Sequence, residues 1–136
     1  MIIGTGMDLC DMRRIERAIE RFGERFLLRV FTETERARAE RRQGAARIGA
    51  YAKRWAAKEA CAKALGTGFA VGVFHSTIGV SNRPSGQPDL TLTGGAAARL
   101  VDMVPPGHEA RLHLSLTDDT PYALAQVIIE AVPSAG

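Results

Sequence analysis

The chain has 136 residues, 46% of them apolar and 24% charged; that length suits one domain with a real core. No run of about 18 uninterrupted apolar residues is present to span a bilayer. The net charge of +3 hides an asymmetry, because residues 1–63 carry fifteen Lys/Arg against nine Asp/Glu while residues 64–136 carry three against six.

In chain order, Ile2, Gly4, Gly6 and Asp8 alternate with Ile3, Thr5, Met7 and Leu9. That period of two predicts an opening strand with a carboxylate near its end, and its glycines let another element approach the backbone closely. The same opening lacks the basic flank and long apolar stretch of a secretion signal, so the expectation is a cytoplasmic protein. Asp11 is placed to cap a helix whose apolar positions Met12, Ile15, Ile19 and Phe22 follow helical spacing up to Gly23. A short helical segment follows over residues 24–30. Thr32 and Glu35 form a T-x-x-E capping box ahead of a polar helix reaching about Arg42. An alanine-rich helix is predicted over residues 46–65 and stopped by Gly66.

The second half changes character. Strands are predicted over residues 77–81 and 90–92, with Asn82-Arg83-Pro84-Ser85-Gly86 as the turn between them. A short helix over 96–103 is closed by Pro105-Pro106-Gly107. Leu112, Leu114 and Leu116 then alternate with His113, Ser115 and Thr117, a half-buried strand that pairs as a hairpin with a last strand over 122–130. Helices first and strands later indicate an α+β fold with antiparallel pairing. One domain is expected over residues 1–132, with a frayed tail over 133–136.

Several side chains invite a chemical reading. Asp8 ends a glycine-relieved strand, and Glu59 lies mid-helix among Ala56, Ala57, Ala60 and Ala62, where small neighbours create a crevice. Two carboxylates on separate elements suit magnesium, which commonly takes one or two carboxylates and leaves its other positions to water and phosphate. Glu59 and Lys63 also stand at i,i+4, the spacing of an ordinary surface pair. Arg13, Arg17, Arg21, Arg25 and Arg29 recur every four residues among Glu16, Glu20 and Glu24, the pattern of a solvated face with intrahelical pairs. A basic helix with some apolar neighbours is also what docks a small acidic protein. No aromatic stacking platform or nucleic-acid motif accompanies this charge, which excludes a nucleic-acid partner from the leading readings. The three histidines lack metal-ligand spacing and read as structural or exposed, Trp55 reads as core or pocket wall, and Cys10 and Cys61 read as buried free thiols.

The segments IIGTGMDL, RVFTETE, KRWAAKEACAKALGTGF, SNRPSGQPDLTLTG and LSLTDDTPYALAQVIIE, in that order, resemble the bacterial holo-[acyl-carrier-protein] synthases, the small members of the phosphopantetheinyl transferase superfamily. The likeness covers nearly the whole chain. It implies the fold of that superfamily, with N-terminal helices packed on a small antiparallel sheet. It also implies transfer of 4'-phosphopantetheine from coenzyme A to a serine of an acyl carrier protein, in support of fatty acid biosynthesis. By the same resemblance Asp8 and Glu59 match magnesium ligands, and Glu59 and Lys63 the catalytic positions, with Lys63 touching the phosphates. Arg54 matches an arginine at the nucleotide end of coenzyme A, while Gly66, Thr67 and Gly68 match the loop beside the phosphopantetheine arm. Ser115 and Thr117 line the equivalent strand, and Arg14 and Arg21 match the helix that docks the acidic carrier. Relatives are typically homotrimers with sites between subunits. Asp118 departs from the pattern, standing where many relatives have a histidine associated with the nucleotide end.

Two other functions compete on the residues alone. A non-catalytic basic module would bind its acidic partner without Asp8 and Glu59. A different metal-dependent enzyme, such as a phosphodiesterase, would share the metal site and differ in substrate.

Overall fold

The computed structural model describes residues 1–135. The chain opens with β1 (Ile2–Asp11), then α1 (Met12–Phe22), α2 (Glu24–Val30), α3 (Glu33–Ala39) and the long α4 (Gly44–Ala64). A 3-10 turn (His75–Thr77) leads into β2 (Ile78–Asn82) and β3 (Pro88–Leu92), followed by α5 (Gly94–Met103), β4 (His108–Asp119) and β5 (Tyr122–Pro133). The strands form two sheets. β1, β5 and β4 form an antiparallel three-stranded sheet in that order, and β2 and β3 form a separate hairpin. The three-helix start, the long helix and the hairpins agree with the α+β expectation.

Local chemistry explains most boundaries. The Asp11 carboxylate accepts from the Arg13 amide at 3.0 Å and caps α1. Gly23, at φ 58°, ends α1 by donating its amide to the Ile19 carbonyl, a backbone geometry that suits glycine. At α3 the capping box forms in full: Glu35 Oε1 accepts from the Thr32 amide at 2.7 Å, and Thr32 Oγ1 accepts from the Glu35 amide at 3.3 Å. α3 stops at Ala39, three residues short of the expected end, and the Glu40 side chain just beyond it accepts from Arg47 and from the Tyr51 hydroxyl.

The core lies between α4 and the inner face of the three-stranded sheet. Ala52, Ala56, Ala57 and Ala60 of α4 are fully buried, as are Ala123, Ala125, Val127 and Ile129 of β5. β1 meets α4 backbone to backbone. A methyl group at Gly6 would lie 2.0 Å from the Ala60 carbonyl oxygen, and one at Gly4 would lie 2.3 Å from that of Ala64. The strand runs past Asp8 to Asp11, so Asp8 is within the pairing register, opposite Ala125, and not at the strand end. β5 also exceeds expectation. It pairs as far as Pro133, opposite His108, and the Ser134 amide donates to Gly107 at 2.9 Å, so the predicted fraying does not begin at 133. Gly136 lies outside the described residues. No helix among the described residues is long and apolar enough to cross a membrane.

Candidate active site

β1 and α4 bring three of the anticipated residues together. The Lys63 ammonium reaches across from α4 to donate to Asp8 Oδ1 at 3.2 Å and to the Met7 carbonyl at 2.9 Å. This replaces the Glu59–Lys63 pair that the i,i+4 spacing allowed. Burial pushes the Asp8 carboxyl upward from its ordinary pKa of 3.8, the Lys63 hydrogen bond and charge oppose the shift, and the negative charge of Glu59 adds to it. The two carboxylates therefore share one electrostatic neighbourhood, with Arg14 as a more distant cation. The close approach of Gly6 to Ala60 creates this: Glu59 precedes Ala60, and Asp8 follows two residues after Gly6 on the same strand face.

Glu59 has a partner that the sequence did not suggest. His75 Nε2 lies 3.5 Å from Glu59 Oε1. The imidazole is stacked on Phe69 at 3.8 Å and on Trp55 at 4.6 Å between ring centroids. His75 is thus a packed, half-buried histidine, and no local pattern around residue 75 announces its contact with a helix residue 16 positions earlier. His113 and His108 do fit the original reading, on exposed contacts with Glu130 and the Pro106 carbonyl. Trp55 is a wall, half-buried and shared with Cys10, Arg14, Ile15 and Phe26 around a small pocket. Both thiols are buried and carry pKa values raised by that burial, to about 11 for Cys10 and about 12 for Cys61, so neither is a ready nucleophile.

The loop after α4 is held by local bonds. The Gly66 amide donates to Lys63, the Gly68 amide to Ala62, and Thr67 Oγ1 to the Gly68 carbonyl. Gly66 and Gly68 both take positive φ, 78° and 59°, a conformation that L side chains adopt at a cost. The loop therefore folds back over the helix end beside Lys63.

Arg54 lies elsewhere. Five residues before Glu59, it is turned about 140° around the helix axis. It is 4% exposed and donates to the Ala50 carbonyl at 2.8 Å and to Asn82 Oδ1 at 3.3 Å, while its buried Nε has no hydrogen-bond partner among the described residues. Burial lowers its pKa, and the charges of Arg38 and Arg42 push the same way. Positive charge is thus concentrated where α3, α4 and β2 meet.

Ser115 and Thr117 do not join Asp8 and Glu59 within one chain. They stand opposite Gln126 and Leu124, which in turn oppose Met7 and Leu9, and this whole row is on the sheet face turned away from α4. Met7 and Leu9 are 53% and 62% exposed there. Asp118 accepts an ion pair from Lys53 at 3.7 Å. On the basic helices, Arg13 pairs with Asp11 at 2.8 Å. Among the described residues no arginine of α1 or α2 pairs with Glu16, Glu20 or Glu24, so the predicted intrahelical bridges are absent. Instead Arg25 and Arg29 line an open groove of about 680 Å³ with Phe22, Phe26 and Leu28. The Arg21 guanidinium lies over the Phe22 ring, 5.3 Å from its centroid.

Known proteins resemble this chain in sequence and fold. A model of the 4'-phosphopantetheinyl transferase superfamily matches residues 4–125. The holo-[acyl-carrier-protein] synthase of Granulibacter bethesdensis is 68% identical over 133 residues, covering 98% of this chain and 92% of that protein. The crystal structure of the Neisseria meningitidis synthase superposes with a TM-score of 0.81 at 33% identity, covering 96% of this chain and 99% of the other. The Helicobacter pylori synthase, solved in complex with coenzyme A, gives a TM-score of 0.77 at 26% identity, with 93% and 99% covered. By its match to the family model and its identity to relatives along nearly its whole length, the chain belongs to the 4'-phosphopantetheinyl transferase superfamily.

Proposed function

We propose that this chain is a holo-[acyl-carrier-protein] synthase, acting in the cytoplasm to transfer 4'-phosphopantetheine from coenzyme A to a serine of an acyl carrier protein, in support of fatty acid biosynthesis. One domain, residues 1–132, carries the activity. The observation that supports this reading most directly is the convergence of Asp8, Glu59 and Lys63 across the β1–α4 contact.

Magnesium fits these residues. Asp8 and Glu59 present hard oxygen donors, and the charge of Glu59 raises the Asp8 pKa, a repulsion that a divalent cation relieves. Among the described residues no group of three or more His, Cys, Asp and Glu is gathered as a dedicated cage, and magnesium does not need one. When bound, the ion supplies charge neutralisation at the diphosphate.

The chain's own residues do the rest. Lys63 exchanges its contact with Asp8 for the phosphates and stabilises the charge that develops on them. Glu59 takes the proton of the carrier's serine hydroxyl, directly or through a water. The serine oxygen forms its bond to the β-phosphorus as the bridging P–O bond breaks, and adenosine 3',5'-bisphosphate leaves with the electron pair. Gly66, Thr67 and Gly68 flank the phosphopantetheine arm. Arg54, with Arg38 and Arg42, supplies the cationic end for the nucleotide. Arg14 and Arg21 edge the surface that takes the acidic carrier, and the groove of Arg25, Arg29, Phe26 and Leu28 extends it. The outward sheet face bearing Met7, Leu9, Ser115 and Thr117 supports a homotrimer in which these two hydroxyls complete a neighbouring subunit's site.

The test mixes purified protein, coenzyme A and unmodified carrier, and weighs the carrier by mass spectrometry. A phosphopantetheine mass gain that requires magnesium and disappears in Glu59→Ala is expected. Full-rate gain in that variant removes the assigned role of Glu59.

A further inference from the structure

We infer that His75 is a positioning residue for Glu59, holding one carboxylate oxygen in place so that the other faces the metal and the reacting hydroxyl. The inference rests on the reading of Glu59 as a metal ligand.

Three observations carry it. The first is the isolation of Glu59. Of its neighbours one helical turn away, Trp55, Ala56, Ala62 and Lys63, the lysine is turned to Asp8 and the Met7 carbonyl, and among the described residues His75 is the one side chain within hydrogen-bonding distance of the Glu59 carboxylate, at 3.5 Å. A glutamate left with free rotamers would sample many carboxylate positions, at a cost each time it must be ordered.

The second is the immobility of the imidazole. Phe69 and Trp55 stack on it with interplanar angles of 16° and 23°. Two rings this close and this parallel occupy opposite faces, since they cannot share one. The ring is left free only at its edge, where Nε2 meets Glu59.

The third is the anchoring of the histidine's backbone. The His75 carbonyl accepts from Lys58 Nζ at 3.0 Å. Lys58 is wholly buried and paired at 2.9 Å with the equally buried Glu35. Glu35 in turn accepts from the amides of Thr32 and Val80. Ring and backbone of residue 75 are thus fixed independently. Ligating carboxylates are commonly oriented by such hydrogen-bonded neighbours, whose loss weakens metal binding roughly 10–100-fold.

The test measures Mn2+ binding by electron paramagnetic resonance in the presence of coenzyme A, with thermal melting recorded alongside. His75→Phe keeps the stack and removes the donor; His75→Gln removes the stack and keeps a donor. Wild type should bind Mn2+ and Glu59→Gln should not. His75→Phe should melt within a few degrees of wild type and bind Mn2+ about tenfold more weakly, with lower kcat and an unchanged KM for the carrier. His75→Gln should recover part of the Mn2+ affinity despite a lower melting temperature. Wild-type Mn2+ affinity in His75→Phe would overturn the inference while leaving the metal reading intact. Absence of Mn2+ binding by wild type would overturn both.

Discussion

Lys58 and Glu35 meet at 2.9 Å with both side chains fully buried, although 23 residues separate them. The ammonium also donates to the carbonyls of His75 and Ile78, so one ion pair fastens α3, α4, the 3-10 turn and β2 together. Breaking such a pair from one side strands a charge in the interior, which costs about 3–5 kcal/mol. Glu35→Gln and Lys58→Met should each lower stability by about that amount in urea unfolding. The double variant Glu35→Gln/Lys58→Met should lose clearly less than the sum of these two single changes, because neither charge is then left alone. Strict additivity would mean that the two groups act separately.

The strand–helix contact gives a second expectation. Gly6→Ala would place a methyl group 2.0 Å from a backbone oxygen of α4, which has no side-chain freedom with which to yield. Stability should fall by roughly 1–3 kcal/mol, and carrier modification should fall further than stability alone explains, because Asp8 shifts with the strand. Wild-type melting and turnover in this variant would contradict the observed packing.

Asp11 titrates abnormally. The Arg13 guanidinium, together with the Arg13 amide, holds its carboxyl down to about 2, from an ordinary 3.8. Since the folded pKa lies below the unfolded one, the resulting stabilisation is fully present above about pH 4 and is lost as pH falls through about 2. Carbon-13 carboxyl NMR should find the Asp11 midpoint near 2 in the protein and closer to 3.8 in Arg13→Ala. An unchanged midpoint in that variant would remove Arg13 as the cause.

Carrier docking should depend on Arg14 and on the basic groove beside it. Arg14→Glu and Arg25→Glu should each raise KM for the carrier about tenfold at low salt, with less effect at high salt. KM for coenzyme A should stay within about twofold. Equal loss toward both substrates would place these arginines elsewhere in the reaction.

Assembly is testable on the outward sheet face. Leu9→Glu combined with Met7→Lys puts charge on side chains that are more than half exposed in the single chain. Sedimentation should then shift from a trimer to a monomer, and activity should fall with it. A monomeric wild type with full activity would argue against sites shared between subunits.

Features that act within a few residues were legible in advance. The Asp11 cap, the Gly23 stop and the Thr32–Glu35 box each involve partners at most four apart, and all three form. What escaped is long-range. Glu35 was visible as a capping residue, but the same carboxylate also holds Lys58 and the Val80 amide, 45 residues on. Lys63 was readable as a partner of Glu59 by spacing and instead reaches Asp8, 55 residues away. Asp8 itself carried meaning only through its glycines and through the family resemblance. Which strands share a sheet is likewise not legible, because alternation marks strands without saying which neighbours they choose. His75 was missed because its surroundings are aromatic, and stacking leaves no periodic trace in the sequence.

The chain's only tryptophan, Trp55, stands between two places that matter. It lies 6.0 Å from the Phe26 ring, a wall of the basic groove, and 4.6 Å from the His75 ring, beside Glu59. The indole is therefore a built-in optical reporter with no competing emitter of its kind. Arrival of a carrier on one side and loading of the carboxylates on the other should both register in its fluorescence, without any label being attached.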